Sequence, residues 1–229
     1  MNHFINALTE GGFERTKVPI SEPLVVHAVA GSGKTSLVRS FIKDYNVARA
    51  YTHGVPDPQN LEGKFIQAYK QPNPTHFNIL DEYCAEPLTS GWQVVLADPL
   101  QHRGTFLEPH YIKRVSHRIP KSTEEILEKA GFQIKAVKEA GVCSHTGIFE
   151  GPLRGKLITL DRTVQDLLVN HGLSPSCPTE VLGQEFPVVT LFSSSPLNEV
   201  KAKHLLYIAL TRHTKELHVR APPFSHTTP

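Results

Sequence analysis

The run LVVHAVAGSGKTSLVRSFI, residues 24–42, limits the possible folds more than any other part of this chain. Its first six residues, apolar but for His27 and rich in valine, read as a strand of a parallel sheet, and TSLVRSFI continues as an amphipathic helix. Between them Gly31 and Gly33 give the backbone freedom to wrap an anion. A helix beginning near Lys34 points its free N–H groups and the positive end of its dipole at that anion. Strand, glycine loop, lysine and hydroxyl in this order predict a phosphate-binding loop, with Ala30, Gly31, Ser32, Gly33, Lys34, Thr35 and Ser36 forming the cradle. Lys34 is placed to reach the β and γ phosphates of ATP, and the Thr35 hydroxyl to ligate Mg2+. The usual pattern begins with a glycine five residues before Gly33, where this chain has Ala28. The exchange removes a hinge and adds one methyl group.

Short apolar runs alternate with amphipathic segments along the rest of the chain, the pattern of a parallel sheet covered by helices. Strands are predicted at 24–29, 48–53, 77–81 and 92–98, the last two ending in Asp81 and Asp98. Ligands of open α/β sheets bind beyond the carboxyl ends of strands, so acids there are positioned for chemistry. From about residue 112 the pattern restarts. Ser122 and Glu125 resemble a capping box opening the helix EEILEKA. A strand at 157–161, a helix TVQDLLVNH closed by Gly172, a strand at 187–192, a helix around 198–210 and a strand at 216–221 follow. The expected organisation is an N-terminal segment 1–22, a first lobe 23–112, a second lobe 113–221 and a mobile tail 222–229.

A chain of 229 residues with 39% apolar and 20% charged residues buries a proper core. Its formal charge of +2 requires any grip on nucleic acid to come from a local basic face. Cys84, Cys143 and Cys177 lie far apart with no CxxC pair, and none of the thirteen histidines falls in HxxxH spacing, so neither a disulfide framework nor a structural metal is expected. No window reaches the roughly 18 apolar residues of a membrane span.

Further motifs extend the chemistry. In NILDEY, Asp81 ends a buried strand and is placed to hold magnesium, while Glu82 is placed to polarise the attacking water. A phosphate loop with an adjacent Asp-Glu pair implies hydrolysis rather than mere binding. In VVLADPLQ, Gln101 can sense the γ phosphate or orient water through its neutral amide. Arg118 in VSHRIP and Arg212 in YIALTRHTKE are candidates to neutralise charge on the transferred phosphoryl group from an opposing lobe.

Taken in order, AVAGSGKT, LDEY, LADPLQ, VSHRIP, EVLGQEFPVVTLF and LYIALTR resemble the motif series of superfamily 1 RNA helicases of positive-strand RNA viruses. A chain of this length opening with FERTKVPISEPLVVHAVAGSGKT is similar to the first triple gene block proteins of filamentous plant viruses of the potexvirus and carlavirus type. The resemblance implies an α/β fold of two RecA-like P-loop NTPase lobes, with mainly parallel sheets flanked by helices, closing on ATP and Mg2+. It implies single-stranded viral RNA bound across both lobes, movement of the viral genome between cells, and suppression of host RNA silencing. Implied partners are other viral movement proteins, coat protein, host silencing factors and further copies of the chain, in the host cytoplasm and, through partners, at plasmodesmata or inclusion bodies. It also assigns a nucleotide contact to Gly183, with Gln184 beside it. The chain departs from the series at Ala28, at Ala97, where glycine is usual, at Leu182, where glutamine is common, and at Pro187, where an acid is frequent.

Three readings remain open on sequence: an RNA-stimulated NTPase of limited unwinding power, an RNA- and host-factor-binding protein whose shape nucleotide sets, and a small P-loop kinase. No lid-like insertion suits the kinase, and 229 residues leave little room for the inserted domains of larger helicases. Lys113, Arg114, Lys121, Lys201 and Lys203 are the candidate RNA contacts.

Overall fold

The computed structural model describes residues 1–225, and the chain divides into two compact units, Met1–Arg114 and the part from Val115 onward. The first unit contains, in chain order, α1 (Asn2–Glu10), β1 (Glu14–Arg15), β2 (Leu24–Ala28), α2 (Lys34–Asp44), β3 (Ala48–Thr52), β4 (Gln67–Ala68), β5 (Phe77–Asp81), β6 (Val94–Ala97) and β7 (Tyr111–Lys113). Its sheet has the order β1-β7-β2-β6-β5-β3-β4. All pairs are parallel except β1 with β7. After β2 the chain crosses to β3 and returns through β5 and β6 on one side of β2, then passes to β7 on the other. That reversal of order leaves a crevice beyond the carboxyl end of β2, the position where parallel sheets receive ligands.

The two faces of this sheet are covered differently. Leu24, Val26, Ala48, Ala50, Ile79, Val94 and Leu96 bury against the helices, meeting Val38, Phe41 and Ile42 of α2. Val25, Tyr51, Leu80, Val95 and Ala97 face the other way and are covered by Tyr83 and Trp92, with Tyr69 and Phe106 packed against them. Loops that carry the candidate catalytic motifs therefore also close one side of the core.

Residues 1–22, expected as a segment ahead of the lobe, are built into it. Phe4 and Leu8 are one turn apart on α1 and both fully buried. The Phe4 ring meets Phe41 edge-on at 4.8 Å. Arg15 of β1 donates to the His110 carbonyl at 2.9 Å and lies over the Tyr111 ring. α1 has two buried side chains, as the helix Arg162–Asn170 has, but no capping side chain marks its start as Asp161 marks the start of that helix.

The second unit contains β8 (Val115–Pro120), α3 (Glu124–Lys129), β9 (Lys135–Lys138), β10 (Val142–Thr146), β11 (Lys156–Thr159), α4 (Arg162–Asn170), β12 (Phe186–Phe192), α5 (Lys203–Leu210) and β13 (His213–Arg220). Four strands form a parallel sheet in the order β10-β13-β12-β11, and β8 pairs with β9 in a parallel ribbon. Leu206, Tyr207, Ile208, Ala209 and Leu210 of α5 are all buried, and Val164 and Leu168 of α4 pack on Phe192. Asp161 caps α4 by accepting the Val164 N–H at 3.0 Å, and Gly172, with φ 75°, ends it.

Three expectations are corrected here. No capping box opens α3: Lys121–Thr123 form a 3-10 turn, Ser122 is exposed, and Glu125 pairs with Lys129 at 2.6 Å. The helix expected at 198–210 is a 3-10 turn at Leu197–Glu199 followed by α5 from Lys203. The tail expected to be mobile is anchored as far as Ser225, whose N–H donates to Asn198 Oδ1 at 3.2 Å while its carbonyl accepts from Asn198 Nδ2 at 3.0 Å; its remainder, 226–229, lies outside the described residues.

Because Phe4 is fully buried in the first unit's core, Phe4→Ala lowers stability by about 3–5 kcal/mol. Urea denaturation of the variant measures this, and a loss under 1 kcal/mol would detach α1 from the core.

Candidate functional site

The phosphate loop grows directly out of β2. Ala28 is the last residue of that strand, paired with Lys113 of β7, and does not have positive φ. The glycine of the usual pattern is therefore not needed for backbone reasons at this position. Where left-handed backbone is required, glycine is present: Gly31 has φ 73° and Gly33, the residue preceding α2, has φ 95°. No side chain caps α2, so its first-turn amides face the loop without intrahelical partners. A Cβ placed on Gly33 would meet nothing within 4 Å; conformation rather than space selects glycine there.

Lys34 is only 6% exposed. Its Nζ donates to the Ala28 carbonyl at 2.6 Å and approaches the Val29 carbonyl at 3.4 Å, folding the side chain back over the loop. The buried Ser32 hydroxyl has no hydrogen-bond partner. A buried cation resting on neutral carbonyls, an orphaned hydroxyl and uncapped helix amides together fit a polyphosphate, which would satisfy all three. Thr35 is half-buried and Ser36 exposed on the same turn, next to Lys34 and Ala30 in the cradle.

Asp81 ends β5 and is 5% exposed. Burial and the neighbouring Glu82 push its carboxyl up, and the Lys34 charge opposes them. Its Oδ1 accepts the Glu82 N–H at 3.0 Å. Such an acid gains from a divalent cation, so Asp81 and Thr35 are the residues that would hold magnesium. Glu82 is a quarter exposed, with Oε2 3.5 Å from His102 Nε2, and its backbone is left-handed, φ 55° and ψ 39°. Gln101 donates through Nε2 to Asp98 Oδ2 at 3.1 Å, while Asp98 Oδ1 accepts from the Leu100 N–H at 3.3 Å. Asp98, 1% exposed, thus fixes the glutamine and was legible only as a strand-ending acid. His27 belongs to no motif. It is the lone polar residue of LVVHAV; burial, with Lys34 adding to it, lowers its pKa to about 4, and Nε2 lies 2.6 Å from Tyr83 Oη.

In the second unit, Arg118 on β8 is ion-paired with Glu185, two residues beyond Gly183. The motifs VSHRIP and EVLGQEF are thereby brought together. Gly183 has φ 77° in the turn before β12, Leu182 is exposed, and Gln184 Nε2 donates to the Glu180 carbonyl at 2.8 Å. Arg212 is 2% exposed, with Nε donating to the Ile208 carbonyl at 3.2 Å and Nη2 to Thr211 Oγ1 at 3.1 Å. His213 follows, fully buried against Thr123 Oγ1 at 2.9 Å; burial, with Lys138, Arg118 and Arg212 adding to it, lowers it to about 4.

Three of the five candidate RNA contacts are engaged within the protein. Lys113 Nζ donates to the Gly11 carbonyl at 2.8 Å and lies over the Phe13 ring, and Lys203 Nζ donates to the Ala130 and Asn198 carbonyls at 3.1 and 3.0 Å. Lys121 pairs with Glu139. Arg114 and Lys201 are exposed.

Residues 24–221 match the viral superfamily 1 RNA helicase core domain. The chain is similar to the movement and silencing protein TGBp1 of Papaya mosaic potexvirus, 52% identical over 100% of this chain and 98% of the relative. It is similar to that of Plantago asiatica mosaic potexvirus at 48% over 97% and 98%, and to that of Potato virus X (strain HB) at 38% over 96% and 99%. Among solved structures it resembles the arterivirus nonstructural protein 10 helicase in complex with DNA, with a TM-score of 0.60 and 18% identity over 86% of this chain. The chain spans 61% of that helicase's length, and the likeness is one of fold: α/β units of RecA-like type with mainly parallel sheets.

Because Ala28 is ordinary strand, Ala28→Gly leaves nucleotide affinity unchanged and lowers stability by about 0.5–1 kcal/mol. Isothermal titration and thermal unfolding read the two effects; tighter nucleotide binding by the variant would show that the missing glycine matters.

Proposed function

The chain belongs to the viral superfamily 1 RNA helicase core family and, within it, to the first triple gene block proteins, the movement and silencing proteins of potexviruses; on that premise we propose that it is an ATP- and magnesium-dependent NTPase that binds single-stranded RNA. The observation that carries this reading is the buried Lys34 folded onto its own loop beside the buried Asp81. In this reading the Ala30–Ser36 turn and Lys34 bind the phosphates, and Asp81 and Thr35 hold the cation, which shields phosphate charge. Glu82 takes the proton of the attacking water and Gln101 orients that water. Arg118 and Arg212 are the guanidinium groups that neutralise phosphoryl charge, and Gly183 is a nucleotide contact. RNA binding in turn serves movement of the viral genome and suppression of host silencing, in the host cytoplasm and with other viral movement proteins and coat protein.

A second reading is favoured by one observation. Leu182 is exposed where the family series commonly has glutamine, and the amide of Gln184 is engaged with the Glu180 carbonyl in its own turn. A weakened link between nucleotide and RNA would leave a binding factor whose shape nucleotide sets, with little unwinding.

Lys34→Ala weakens binding of a fluorescent ATP analogue by about tenfold or more, whereas Glu82→Gln preserves binding and lowers ATP turnover by about 100-fold. Unchanged binding and turnover in Lys34→Ala would overturn the reading.

A further inference from the structure

Glu82 is the one non-glycine residue with positive φ among the described residues. An L-residue pays roughly 1–2 kcal/mol to sit there, so the surroundings must impose the conformation. On its amino side the restraint is Asp81, whose Oδ1 accepts the Glu82 N–H. On its carboxyl side it is Tyr83, 4% exposed, with its ring in the cluster of Val25, Leu80, Trp92 and Val95. The Tyr83 hydroxyl lies 2.6 Å from His27 Nε2, and the two rings stack at 5.8 Å and 16°. His27 is on β2, next to Ala28, whose carbonyl receives the Lys34 ammonium. His27 is neutral at pH 7 and burial keeps the Tyr83 hydroxyl protonated, so one neutral hydrogen bond joins the strand feeding the phosphate loop to the turn bearing Glu82. Filling space does not require it. A phenylalanine at position 83 would occupy the same volume.

We propose that the His27–Tyr83 hydrogen bond is a positioning link that holds Glu82 in its left-handed turn relative to the phosphate loop, so that water activation depends on it and nucleotide binding does not. The kinetic consequence rests on the nucleotide-hydrolysis reading above; the conformational consequence does not.

Tyr83→Phe keeps the ring and removes the hydroxyl, and His27→Phe removes the other partner. Each variant lowers kcat for ATP hydrolysis by about tenfold or more and leaves the Kd of a fluorescent ATP analogue unchanged, and the double variant loses less than the sum of the two, since both break the His27–Tyr83 bond. Hydrogen–deuterium exchange, without nucleotide, speeds up over residues 80–86 and stays the same over 34–44. Wild-type exchange at 80–86 in Tyr83→Phe would overturn the link, as would additive losses in the double variant or a fall in affinity that matches the fall in turnover. If the wild-type chain neither binds nor hydrolyses ATP, the nucleotide reading fails and the exchange result still decides the link. Should one single variant fail to fold, the other carries the test.

Discussion

An ammonium group and a carboxyl group are held out of water at the carboxyl edge of one parallel sheet, and much of the first unit is arranged around that. Lys34 and Asp81 are 6% and 5% exposed, and isolated buried charges are costly unless something compensates them. Carbonyls of Ala28 and Val29 receive the lysine, and the Glu82 amide reaches the aspartate. The compensation is partial: the Asp81 carboxyl is still pushed up by burial. A polyanion with a divalent cation would complete it, the anion meeting the lysine and the cation the aspartate.

The strain of that arrangement falls on the backbone, and the sequence shows where glycine answers it. Gly31 and Gly33 have positive φ; Ala28 does not, because it is still within β2. The missing first glycine is thus a change at a strand end rather than in the loop. Glu82 takes positive φ without being glycine, which is why the ring of Tyr83 and the imidazole of His27 matter beside it.

The central strands were legible because β2, β3, β5 and β6 are buried on both faces and read as apolar runs. The edges were not. β1 and β4 are two residues each, and β10 has no fully buried residue, so neither alternation nor a run announces them. α1 escaped for want of a capping side chain at its start, and the Ser122–Glu125 pattern failed, although the helix does begin at Glu124, because Lys121–Thr123 form a 3-10 turn and Glu125 pairs with Lys129. Within the site, residues carrying motif chemistry were found from spacing, whereas Asp98 and His27 act on other side chains and have no motif. The basic candidates Lys113 and Lys203 show the converse limit: a charge count cannot tell a lysine facing solvent from one donating to the Gly11 or Ala130 carbonyl.

We propose that the carboxyl edge of the first unit's sheet is a hydrolytic nucleotide site coupled to RNA. Steady-state ATP hydrolysis by the purified chain in magnesium, with and without single-stranded RNA, tests it most directly. The expected result is hydrolysis that RNA accelerates, with the acceleration reduced in Arg212→Lys. Absence of hydrolysis under both conditions would contradict it, and hydrolysis indifferent to RNA in wild type and variant alike would remove the coupling.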